Sequence, residues 1–223
     1  MFFYLLRPMY KEFITEFEKS VLQAGRSIEE IELVAVSKKK PLSDIIDVYN
    51  AGQLSFGENQ IQEIEAKWVD FKKENPEIKL HFVGAIQSRK TNSILENCDV
   101  IHSIDRLKIV KLIKKYEESN RKKRQYFLQI NTGNEPQKSG VLLKDADVFI
   151  DECKNIYNLD ISGLMCLPPL NEDPVQHFKT LKILAENHRL SSLSMGMSHD
   201  YQEAIRCGAT HIRIGTSIFG KRS

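Results

Sequence analysis

Paired cysteine is missing from this chain. Cys98, Cys153, Cys166 and Cys207 stand singly, with no C-x-x-C pair among them. That excludes a cysteine-type zinc site and a disulfide framework, and leaves buried thiols in a reducing cytoplasm as the expectation. Metal-binding histidine spacing is missing too. The six histidines include no H-x-x-x-H, so no metal is expected. Long apolar runs are absent. Residues 1–6 are apolar but fall far short of the ~20 residues of a membrane span. They also lack a basic n-region and a small-residue cleavage site, so neither a membrane anchor nor an export signal is expected. Met9, just ahead of an amphipathic stretch, is a second candidate start. Charge of one sign is not in excess: 32 Lys and Arg oppose 30 Asp and Glu, a net +2. Such a balance gives no global field to draw nucleic acid. The densest basic run, residues 121–124, has no interleaved aromatics and lies between a helix and a strand, which fits a solvated loop.

What is present is a regular alternation. Residues 8–25 carry Phe13, Phe17, Val21 and Leu22 at helical spacing, and Gly25 stops them. Eight short apolar runs follow, at 31–37, 54–57, 80–86, 100–104, 126–131, 161–166, 192–196 and 211–214. Helix-periodic stretches separate them, among them 43–51, 61–73 and 175–188. Strands alternating with helices predict βαβ units and a parallel sheet. Eight repeats within 223 residues predict the α/β class and a (β/α)8 TIM barrel, with residues 1–223 forming one domain that begins with an extra helix. An open doubly wound sheet is the alternative. It would want G-x-G-x-x-G in its first βα turn, and none is there.

In such a barrel, functional side chains gather where strands end. Strand side chains alternate, so Val34, Val36 and Lys38 share a face. If the valines fill the interior, Lys38 points into the mouth. Desolvation and the nearby Lys40 would both lower an amine pKa there, as a carbonyl-attacking lysine needs. Three solvated lysines ahead of a helix are the plainer alternative, of equal weight on spacing alone. At the other end of the chain, Ser198 reads as the N-cap of a helix over 200–207, and Gly215-Thr216 opens a short segment after the last strand. The loops after strands seven and eight of these barrels recurrently bind phosphate. A mouth lysine with two such loops points to a phosphorylated aldehyde. His81, at the start of a strand, reads as structural and Cys166 as a buried small hydrophobe; His199 and Lys138 stay open between solvated and ligand-contacting roles.

These residues stand in motifs that run from about Arg26 to Gly220: Ala35-Val36-Ser37-Lys38, Phe56-Gly57-Glu58-Asn59, His81-Phe82-Val83-Gly84, Lys138-Ser139-Gly140, Gly163-Leu164-Met165, Met195-Gly196-Met197-Ser198 and Arg213-Ile214-Gly215-Thr216. In that order they resemble the pyridoxal phosphate homeostasis protein family. The resemblance implies a fold-type III barrel like the N-terminal domain of alanine racemase, with pyridoxal 5′-phosphate carried as an aldimine on Lys38. It implies that Ser198, Gly215 and Thr216 hold phosphate, that Arg213 approaches the pyridine nitrogen, and that Asn59 and Met195 lie near the cofactor. It further implies a cytoplasmic, non-catalytic carrier that serves intracellular cofactor homeostasis and amino-acid and keto-acid balance. Partners would be pyridoxal 5′-phosphate and dependent apoenzymes, without nucleic acid or membrane. Alanine racemase takes a second base from a further domain; the present sequence reads as lacking that domain, which points to a monomer without efficient turnover. An amino-acid racemase-like enzyme is the rival reading.

Overall fold

The computed structural model describes residues 8–135 and 137–220; the apolar run at 1–6 lies outside them. The described residues form nine strands: β1 (Glu32–Val36), β2 (Ser55–Glu58), β3 (Lys79–Phe82), β4 (Val100–Ile104), β5 (Gln125–Asn131), β6 (Val141–Leu142), β7 (Ile161–Cys166), β8 (Ser192–Ser194) and β9 (His211–Ile214). Eight of them are the predicted ones. They pair in parallel around a closed ring, β1-β2-β3-β4-β5-β7-β8-β9, with β9 returning to β1. The ninth, β6, is a two-residue addition against Ile130 and Asn131 of β5. No local periodicity announces it, because it exists only through the loop that returns to β5.

The helices are α1 (Pro8–Gln23), α2 (Leu42–Tyr49), α3 (Ile61–Lys67), α4 (Val69–Glu74), α5 (Thr91–Asn97), α6 (Leu107–Asn120), α7 (Leu143–Asp151), α8 (Pro174–Asn187), α9 (Tyr201–Arg206) and α10 (Thr216–Phe219). The single helix expected over 61–73 is two, because Trp68 both ends α3 and opens α4 while its indole is drawn inward to Glu58. Helix α8 starts as its sequence dictates, with Asp173 accepting from the Val175 amide and Pro174 in the first turn. Helix α1 buries Phe13, Phe17 and Val21, and Phe13 meets Tyr201 of α9 edge-on at 5.4 Å. Leu22, expected on the same stripe, is exposed. After α6, Arg121 turns left-handed and residues 121–123 lie in solvent, as the basic run predicts.

Strand alternation divides the molecule into two layers. Leu33 and Ala35 of β1 face outward into the large apolar core under the helices, whereas Val34 and Val36 face into the barrel. The interior holds a small apolar cluster of Val100, Phe127 and Met165. Otherwise its side chains include His81, His102, Ser194, His211 and Arg213, all buried. Bulky branched residues usually fill such an interior, so this polar filling needs a reason. Two predicted strands end at least two residues early. Beyond Phe82, Gly84 is approached so closely by the Asn59 backbone that a Cβ would lie 2.0 Å from its carbonyl oxygen. Beyond Ser194, Gly196 takes a φ of +96°, which redirects the chain out of the sheet.

Candidate functional site

A cavity of about 380 Å³ opens at the C-terminal ends of the strands, a size within the ~300–1,000 Å³ typical of small-molecule sites. Lys38, half-buried, enters it beside Val36, as the alternation of β1 predicts. The loop that carries it is clamped from outside. Lys67 Nζ donates to the carbonyls of Ser37 and Lys40 at 3.2 and 3.3 Å, and to Glu58 Oε1 and Glu63 Oε2 at 2.7 and 2.8 Å. Ser37 Oγ and Trp68 Nε1 also donate to Glu58 Oε1, at 2.7 and 3.1 Å. The Lys39 amide, on a left-handed residue, reaches Glu63 Oε2 at 2.5 Å. Glu58 is fully buried, and its Oε2 has no hydrogen-bond partner among the described residues. Burial pushes its carboxyl above the usual range, although the Lys67 ammonium pulls the other way.

Sequence reasoning missed this clamp. Lys67 lies four residues after Glu63 on α3 and reads locally as an ordinary surface pair. Only the fold sets both beneath the Lys38 loop. Removing the ammonium strands a buried carboxylate, so Lys67→Met is expected to cost about 3–5 kcal/mol in urea unfolding. Pairing it with Glu58→Gln should recover much of that loss; a single variant costing under about 1 kcal/mol would show that Lys67 does not clamp the loop.

The opposite wall comes from the loops after β8 and β9. Asp200, not Ser198, caps α9, and its Oδ1 accepts from the Met197 amide at 2.6 Å. This frees Ser198 to line the cavity, where its Oγ faces the Ser217 amide at 3.5 Å. Gly215, Thr216 and the start of α10 complete this side. Met195 departs from expectation. Ser194 faces into the barrel, so the next residue turns outward, and Met195 is buried in the outer core. Met197, beyond the redirecting Gly196, lines the cavity instead. Asn59 is in place with Gly84 beside it, and the exposed His199 lies on the rim, 3.4 Å from Asp200 Oδ2.

Arg213 forms the floor, only 5% exposed. It donates to Ser194 Oγ at 2.6 Å and to the Cys166 carbonyl at 3.0 Å, and no carboxylate lies within ion-pair distance among the described residues. Burial lowers its pKa, with Cys166 and Asp200 acting in the opposite direction; a guanidinium stays charged even so. Cys166 is fully buried and its thiol is pushed up to about 12 by burial, as befits a core residue rather than a nucleophile. Lys138 is not in this cavity. It pairs with Glu135 at 2.6 Å and borders a neighbouring one of about 400 Å³.

The donor set suits one kind of ligand: an amine for an aldehyde, hydroxyls and backbone amides for a phosphate, and a buried cation with donors only for a neutral aromatic nitrogen. The fold and this site define the class, a barrel of the alanine racemase N-terminal domain family, which matches residues 19–223. An alanine racemase of Bartonella henselae shares the fold, with a TM-score of 0.71 over 97% of this chain and 60% of its own, at 14% identity. The pyridoxal phosphate homeostasis protein of Vibrio alginolyticus is 39% identical over 210 residues, 90% of each chain. The chain belongs to the pyridoxal phosphate homeostasis protein family. Among solved structures, PipY of Synechococcus elongatus with pyridoxal phosphate bound is 29% identical, with a TM-score of 0.79 over 95% of this chain and all of that one.

Proposed function

We propose that this protein holds pyridoxal 5′-phosphate in the Lys38 cavity and serves the cell as a carrier of it rather than as an enzyme. The observation that carries the reading is the meeting of Lys38, Arg213, Ser198 and Thr216 around one cavity. When bound, the cofactor supplies an aldehyde and an electron-withdrawing ring. Lys38 is the one amine lining the cavity among the described residues, so it is the residue to join that aldehyde covalently. Ser198, Thr216 and the backbone at Gly215 hold the phosphate end, and Asn59 flanks the ring.

Two features favour carrying over turnover. Racemisation needs a proton donor and acceptor on each face of the reacting carbon. Besides Lys38, the cavity offers one side chain of suitable basicity, His199, which is exposed on the rim, and no tyrosine lines it among the described residues. Arg213 presents only N–H donors to the ring. It keeps a ring nitrogen unprotonated and so weakens the ring's ability to accept electrons. Among the described residues no helix is long and apolar enough to cross a membrane. The reading is completed by action in the cytoplasm as a monomer, one domain over 1–223, with apoenzymes as recipients.

Loaded protein incubated with L-alanine should form D-alanine or keto acid no faster than free pyridoxal phosphate does, yet activate an added dependent apoenzyme. Turnover well above that of the free cofactor, abolished by Lys38→Ala, would favour the racemase-like reading instead.

A further inference from the structure

The polar filling of the barrel is ordered. Arg213 Nη1 lies 2.6 Å from Ser194 Oγ, which lies 2.7 Å from His102 Nδ1. His102 Nε2 is 2.9 Å from His81 Nδ1, and His81 Nε2 is 3.1 Å from Glu32 Oε1. These side chains come from β9, β8, β4, β3 and β1, and they cross the interior from the cavity floor to the far end of the barrel. Ser194, His102 and His81 are at most 0% exposed, and His102 stacks on Phe127 at 4.7 Å.

The two ends fix the direction of every bond. A guanidinium can only donate, so Ser194 Oγ accepts from Arg213. At the other end, burial pushes the Glu32 carboxyl up, but the His211 ring 3.1 Å away and the hydrogen bonds with His81 and Ser55 outweigh it and hold the group well below the usual range. Glu32 is therefore an acceptor, and His81 donates through Nε2–H. Burial drives His81 and His102 to their neutral forms, each with one ring proton. His81 Nδ1 must then accept from His102 Nε2–H, and His102 Nδ1 must accept the hydroxyl proton of Ser194. One arrangement satisfies all four contacts, and every donor points away from Arg213.

We infer that Ser194, His102 and His81 are positioning residues for Arg213: they commit the Ser194 proton to His102, leave the Ser194 oxygen able only to accept, and so lock the guanidinium with its remaining donors toward the cavity. This gives the interior histidines a task that a structural filler would not have. It rests on the reading that the cavity takes pyridoxal phosphate with its ring nitrogen toward Arg213.

Two measurements test it. In the cofactor-free protein, 15N-edited NMR at neutral pH should show His81 and His102 both neutral with the proton on Nε2; an Nδ1–H tautomer or a doubly protonated ring at either position overturns the inference. The second measurement compares affinity for pyridoxal phosphate with that for its 1-deaza analogue, in which a C–H replaces the ring nitrogen. His102→Phe keeps the stack on Phe127 but removes the acceptor. The wild-type preference for the nitrogen compound should fall about tenfold, the size of one misdirected charge-assisted hydrogen bond, while affinity for the analogue stays unchanged. His102→Asn, which returns an acceptor oxygen close to the Nδ1 position, should restore most of the preference. Should His102→Phe fail to fold, Ser194→Ala, lacking one oxygen, should give the same selective loss. Equal weakening for both compounds, or an unchanged preference, overturns the inference alone. A wild-type protein that does not distinguish the two compounds overturns the ring-nitrogen reading, and the inference with it.

Discussion

Lys38→Ala protein should purify folded and colourless, and borohydride should fix no cofactor to it, whereas the wild type should be yellow and labelled on one peptide. The effect is close to all-or-none because Lys38 is the one lysine lining this cavity among the described residues. Lys90 borders the adjacent cavity of about 420 Å³, and Lys138 borders the one on the far side, paired with Glu135. Folding should hardly change. Lys38 is half-buried at the rim, where substitutions usually alter stability by no more than about 0.5 kcal/mol. Its loop is held by Lys67 and Glu63 through backbone groups of Ser37, Lys39 and Lys40, which the substitution leaves in place. Peptide mapping after reduction decides the matter. A label on the peptide containing Lys90 or Lys138, with Lys38 untouched, would move the covalent site out of this cavity.

Pyridoxal without its phosphate should bind roughly 10²–10⁴-fold more weakly than pyridoxal 5′-phosphate. Charge-assisted hydrogen bonds contribute about 1.5–3 kcal/mol each, and two such bonds account for that range. Ser198 and Thr216 supply hydroxyls, and α10 begins at Thr216, so the Ser217 amide precedes the first backbone bond of the turn, which Ile218 makes to Gly215. Among the described residues the Ser217 amide reaches only Ser198 Oγ, at the long distance of 3.5 Å, so an anion placed between them gains a donor that the protein hardly uses itself. Both aldehydes meet the same Lys38, so the comparison isolates the phosphate end. Equilibrium titration of the two compounds measures it, and near-equal affinities would rule out the Ser198, Gly215 and Thr216 assignment.

Much of the site was legible in the chain. Period-two alternation on β1 was enough to aim Lys38 at the mouth once Val34 and Val36 were taken as interior. The same alternation on β9 aims Arg213 inward, because Ile212 and Ile214 on either side join the outer core. The loop after β8 was harder. Ser198 looked like a cap because serine precedes a helix there, yet Asp200 is nearer the first turn and takes the capping position. Met195 looked like a ligand contact because its motif surrounds the cofactor site, and it failed because one residue along a strand is a change of face.

By itself the sequence determined the eight-fold alternation of strands and helices, the face that Lys38 shares with Val34 and Val36, and the types of group at the strand ends. Those properties are periodic and local: they follow from which side chains exclude water and from the pleat of a strand. Tertiary structure alone decided which inward groups meet. Glu58 and Lys67 find the Lys38 loop across α3, and Glu32, His81, His102 and Ser194 reach Arg213 across separations of 49, 21, 92 and 19 residues. No window along the chain spans such distances. They close only when β9 pairs with β1 and the barrel turns its strands' inner faces toward one axis, where buried polar groups must find partners in one another.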